Sequence, residues 1–151
     1  MAAFHFRLQR VLDYRRSLVE AQEAHLGQCA RALADAQRHL ATVRQRQQDL
    51  VSGLRRGAGS TVDVDRVAIA WQYLGLLQGQ ESAAEGTVRS RQAELVETRA
   101  KLTELKKQEQ VIAKLRDRLQ VRAEVAARRQ EAKELDDLTS IHHRLIHGEV
   151  N

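Results

Sequence analysis

Proline is absent from the 151 residues, and each further scarcity narrows the fold. There is one cysteine, Cys29, so no disulfide framework can form within the chain. Aromatic residues make up 3% of the composition, too few for the core of an ordinary compact globule. No stretch approaches the roughly 18 uncharged apolar residues of a membrane span, and the opening residues hold no apolar run of signal-peptide length. The expectation is a soluble, cytoplasmic protein without direct membrane insertion. What is abundant is Ala, Leu, Glu, Arg and Gln, with 30% charged residues. That is the profile of a long helix or coiled coil.

The apolar residues recur with a fixed spacing. From Leu8, steps of four and three lead through Leu12, Arg15, Val19, Gln22 and Leu26 to Cys29, and onward through Leu33, Ala36, Leu40, Val43, Gln47 and Leu50 to Leu54. Such a seam, sustained well past three or four heptads, predicts a left-handed coiled coil. At 1.5 Å per residue the first helix, over about 5–55, spans roughly 70 Å. "RRGAGSTVDVD" then supplies glycines to end it, with Ser60, Thr61 and Asp63 as N-caps for the next helix. A short loop near 56–62 favours antiparallel neighbours. The predicted fold is all-α: one antiparallel two-helix hairpin covering 1–151, an elongated rod with both termini at one end.

The second helix is expected over about 63–146. Val64, Val67, Ala68, Trp71 and Leu74 make an apolar face at helical spacing. Gly75, Gly79 and Gly86 each cost about 1 kcal/mol relative to Ala, so a soft stretch or break is expected within 75–86. The seam resumes through Val88, Leu95, Leu102 and Leu105. Beyond Ile112, Leu115 and Leu119 the register drifts, continuing through Val125, Ala132, Leu135, Leu138 and Leu145, which implies a stutter.

The few aromatics fall in two places. Phe4, Phe6 and Tyr14 lie at the start, and Trp71 and Tyr73 just after the loop. They read as two contact regions or as packing residues. The first segment is also the basic one. Through Arg56 it carries ten Arg and no Lys against five acidic residues, so the whole formal excess of +5 lies there. An electropositive face for an acidic partner and an ordinary solvated helix face both fit.

Chemistry is sparse. His143 and His147, four apart, could share a metal with His142 or Glu149, but the set lacks a third fixed ligand, and no metal is assigned. Cys29 reads as a small buried hydrophobe. "RRGAGS" lacks a following Gly-Lys-Ser/Thr, so no phosphate cradle and no cofactor is expected. A straight hairpin offers no catalytic cleft, and a non-enzymatic protein follows. Non-specific nucleic-acid binding by the basic helix stays open as an alternative, although acidic residues interleave the Arg and no recognised motif is present.

"FHFRLQRVLDYRR" at the start, "WQYLGLLQGQ" in the middle and "RRQEAKELDDL" near the end resemble the FliJ family of the flagellar type III export apparatus. The Phe4-x-Phe6-x-Leu8 start and the run from Gln130 to Asp137 carry the likeness, with Asp137 where the family more often has Glu. The resemblance implies a stalk-like antiparallel coiled coil in the cytoplasm, peripherally associated with the inner-membrane export apparatus. Its implied partners are the hexameric export ATPase FliI, the export gate protein FlhA, and export chaperones, with no nucleic acid among them. The injectisome stalk protein of the YscO type is the alternative.

Under that resemblance, Phe4, Phe6, Arg7, Arg10, Tyr14 and Arg15 are expected to dock in the ATPase. Glu131, Glu134, Asp136 and Asp137 join them from the returning helix, whose final turns are expected beside the aromatic start. A gate contact is expected at Trp71, Tyr73 and Leu77, completed by Val43 and Leu50.

Overall fold

The computed structural model describes residues 4–57, 59 and 63–147, and among these the chain is all-α. Helix α1 spans Gln9–Gly57 and helix α2 spans Val64–His147. The start of α1 is later than expected because Phe4–Leu8 does not continue the helix. A turn, with the Gln9 N–H donating to the Phe6 carbonyl at 3.0 Å, ends the segment instead. Arg55 and Arg56 occupy the last turn of α1, where cations suit the carbonyl end of the helix dipole. Asp63 caps α2: its Oδ1 accepts from the Asp65 N–H at 3.1 Å, and its carbonyl from the Val67 N–H at 3.1 Å. The other two expected caps, Ser60 and Thr61, lie outside the described residues.

Two compact units divide the chain: Val19–Glu104, and Met1–Leu18 together with Leu105–Asn151. In the first, the helices pack antiparallel. Gln22 Nε2 donates to the Thr98 carbonyl at 3.2 Å, while Arg44, further along α1, meets Glu81, earlier on α2. The core is the seam. All the α1 positions from Val19 to Leu54 in the four-three series are buried or half-buried, with Cys29 and Val43 fully inside. On α2 the matching series runs Val67, Ala70, Leu74, Leu77, Glu81, Ala84, Val88, then Leu95, Thr98 and Leu102.

That series corrects two expectations. The apolar face at the start of α2 is set by Val67, Ala70, Leu74 and Leu77. Val64, Ala68 and Trp71 are exposed. Nor does α2 break within 75–86. A Cβ at Gly75, Gly79 or Gly86 would meet nothing within 4 Å, so these glycines sit off the seam. Their cost is intrinsic propensity alone, and packing of the seam residues between them carries the helix through.

In the other unit the pairing is also antiparallel. Arg15 donates to Gln108, and the earlier segment Phe4–Leu8 lies against Leu115 and Leu119. Leu12 is fully buried and Phe6 nearly so. The α2 spacing here, through Leu105, Glu109, Ile112, Arg116 and Leu119, keeps the four-three alternation. From Glu124 to Ile146 every residue of α2 is exposed.

Candidate functional site

Three regions stand out once burial is assigned. The first is the aromatic start. Phe6 is 6% exposed and closes a groove against Leu115 and Leu119, while Phe4 is 40% exposed at its edge. Tyr14, Leu8 and Val11 also show much of their surface. The segment is therefore part plug and part surface. Its arginines divide in the same way. Arg15 donates to Gln108, and Arg16 Nε lies 3.3 Å from Glu109 Oε1, so both tie α1 to α2. Arg7 and Arg10 are exposed, and no ion pair involves either among the described residues.

The second region is the exposed end of α2. Leu135, Leu138, Ile141 and Leu145 recur at steps of three and four, and each is more than half exposed. Glu131 and Glu134, one turn before Leu135 and Leu138, share that face. Gln130 Nε2 donates to Glu134 Oε1 at 3.0 Å within the helix. The expectation that Glu131, Glu134, Asp136 and Asp137 flank the aromatic start is corrected. Phe4 and Phe6 meet α2 at Leu115–Gln120 instead. The reason is length: α1 has 49 residues and α2 has 84, so antiparallel pairing runs out before α2 does.

The third region follows the start of α2. Trp71 is 63% and Tyr73 45% exposed, on opposite flanks of the seam. Ile69, Tyr73 and Leu76 lie on one outward face at i, i+4 and i+7, all well exposed. Val43 and Leu77, expected beside Tyr73 in a gate contact, are core residues at 1% and 0% exposure, and Leu50 is half-buried. A side chain that fills the seam offers no surface to a partner. Ile69 and Leu76 were missed because the Trp set the phase of the face. Counting heptads backward from Leu95 gives Val88, Glu81, Leu74 and Val67, which leaves Ile69 and Leu76 off the seam.

Sequence reading also passed over a polar knot in the Val19–Glu104 unit. His25 Nε2 lies 3.7 Å from Cys29 Sγ, and Sγ lies 3.7 Å from Thr98 Oγ1. One ligand atom each from His25, Cys29 and Glu94 fall within 4.8 Å of one another. The i, i+4 spacing of His25 and Cys29 was the available signal, but Glu94 comes from the other helix.

Electrostatics elsewhere is that of exposed helix faces. Arg44 spans two carboxylates, with Nε 2.7 Å from Glu81 Oε1 and Nη2 2.6 Å from Glu85 Oε1. Its hydrogen bond holds the Glu81 carboxyl below its ordinary pKa, and the Arg44 pKa rises in turn.

The sequence matches the family model described as "Flagellar FliJ protein" over residues 4–145. The chain belongs to the FliJ family. This match takes in both the aromatic start and the exposed end of α2. The family places the chain in the flagellar type III export apparatus. No curated protein and no solved structure matched significantly. Among the described residues no helix is long and apolar enough to cross a membrane.

Proposed function

We propose that this FliJ-family chain is a stalk-like adaptor whose uncovered α2 end and aromatic start dock in the central pore of the hexameric export ATPase. Docking promotes assembly of the hexamer and its turnover. Trp71 and Tyr73 face the export gate protein, and export chaperones are carried between the two. The chain acts in the cytoplasm, against the inner-membrane export apparatus.

The observation that carries this reading is the stripe Leu135, Leu138, Ile141 and Leu145, which no described residue covers. An apolar stripe on a formed helix is the docking half of a helix-in-groove contact. Exposed Arg7 and Arg10 add charge beside Phe4, and Arg is suited to bidentate contacts with carboxylates.

ATPase turnover with and without the chain tests it. Leu138→Ser with Leu145→Ser changes only exposed positions, so helicity should hold while stimulation is lost. Arg7→Glu with Arg10→Glu should weaken binding and flatten its salt dependence. Equal stimulation by wild type and both double variants would refute docking at this end.

A further inference from the structure

Among the described residues, His25, Cys29, Glu94 and Thr98 form the one side-chain cluster that combines a thiol, an imidazole and a carboxylate. His25 and Cys29 stand one turn apart on α1, and Glu94 reaches them from α2. The three ligand atoms lie within 4.8 Å of one another. The His25 Nε2 to Cys29 Sγ distance is 3.7 Å. Around a tetrahedral zinc, with Zn–S near 2.3 Å and Zn–N near 2.0–2.1 Å, a sulfur and a nitrogen are about 3.6 Å apart. These two ligands are thus already at coordination spacing.

The sulfur has a hydroxyl partner. Cys29 is 4% exposed, yet its sulfur faces the Thr98 hydroxyl at 3.7 Å. Thr98 is the buried polar residue of the seam among the described residues, and its carbonyl accepts from Gln22 Nε2. A hydroxyl there can donate to a thiolate. Glu94 keeps Oε2 on Arg91 Nη1 at 2.8 Å, which leaves Oε1 for a cation. His25 is exposed and Glu94 half-buried, so the cluster opens to solvent on one side.

We propose that His25 Nε2, Cys29 Sγ and a Glu94 carboxylate oxygen bind one transition-metal cation, with water in the fourth position. The donor set of one thiolate, one imidazole and one carboxylate suits zinc, and cobalt as its spectroscopic substitute. On binding, the Cys29 thiol gives its proton to solvent and the thiolate pairs with the cation. No oxidation state changes. Because the ligands come from both helices, the metal cross-links α1 to α2 within the Val19–Glu104 unit.

The test is a Co²⁺ titration of the full chain under reducing conditions, read by the near-ultraviolet thiolate-to-cobalt charge-transfer band. With a single cysteine in the sequence, that band reports on Cys29 alone. The expected result is one cobalt per chain, displaced by zinc, with no band in Cys29→Ser. His25→Ala and Glu94→Gln should each weaken binding at least tenfold, since even hydrogen bonds to metal ligands are worth about 10–100-fold. Zinc should raise the melting midpoint of wild type more than that of any of the three variants. His25 is exposed, so His25→Ala decides the matter even if Cys29→Ser fails to fold. Three results would overturn the proposal: no charge-transfer band, a band untouched by both His25→Ala and Glu94→Gln, or one metal shared by two chains through their thiolates.

Discussion

Leu77→Ala and Trp71→Ala separate core from surface at two positions that sequence reading had placed in the same contact. Leu77 has no exposed surface, whereas Trp71 keeps 63% of its own. Truncating Leu77 removes three carbons from the seam. At about 0.8 kcal/mol for each buried methylene, the transfer loss alone is about 2.4 kcal/mol. A residual cavity adds to this, and Leu→Ala changes at closed sites reach about 2.7–5 kcal/mol. A two-helix seam lies close to solvent and can partly collapse, so the lower end applies, about 2.5–3 kcal/mol. Trp71→Ala loses only partial packing on a helix flank and should cost about 0.5 kcal/mol or less. Urea unfolding followed by far-ultraviolet circular dichroism measures both, with the slope against denaturant checked for constancy. Amide exchange around Val43 and Leu77 then shows whether the loss falls in the Val19–Glu104 unit. Costs for the two variants within about 1 kcal/mol of each other would refute the assignment of Leu77 to the core and Trp71 to the surface, since the burial difference predicts a larger gap.

Arg44→Gln should lower stability by an amount that depends on pH and shrinks in high salt. Glu81 has its pKa depressed by Arg44, so its contribution is present above the ordinary carboxylate value of 4.5 and lost as pH falls through the lowered folded value. The gap between wild type and variant should therefore be open at neutral pH and close on the acid side, and a gap that widened with acid would contradict the pairing. Trp71→Ala and Tyr73→Ala should leave helicity and melting intact while removing affinity for the export gate protein. Unchanged gate affinity in a pull-down would return both residues to ordinary surface aromatics.

The α1 seam was legible because a four-three period needs no knowledge of the partner. Apart from Leu8, every position in the series is buried or half-buried. The start of α2 was misphased for a chemical reason. Trp71 is the bulkiest apolar residue nearby, and a face built around it displaces the narrower stripe of Ala70 and Leu77. In a two-helix seam small residues pack well, so hydrophobic bulk is a poorer guide than spacing. The aromatic start was assigned to the wrong stretch of α2 through an assumption about ends. Predicted helices of such unequal length cannot close flush, and the partner of Phe6 at Leu115–Leu119 follows once pairing is counted from the loop. The cluster of His25, Cys29 and Glu94 was beyond reach, because proximity across two helices depends on a register that only the structure supplies.

The exposed end of α2 raises a physical question: what keeps it helical without a partner helix? Local sequence supplies the answer. Ala126, Ala127, Ala132, Lys133, Glu134 and Leu135 are strong helix formers. Gln120 and Gln130 each donate to a Glu four residues on, at 3.1 and 3.0 Å. Most importantly, the stretch extends a helix already nucleated by packing, and propagation is far easier than initiation. A partner closing on Leu135, Leu138, Ile141 and Leu145 therefore meets backbone already in place. Ordering a free chain would cost roughly 1–2 kcal/mol per residue, and preorganisation removes that opposition from binding. The same logic makes the proposed docking sensitive to helix breakers. Gly placed at exposed Ala132 should weaken ATPase stimulation, although it touches no apolar side chain of the stripe.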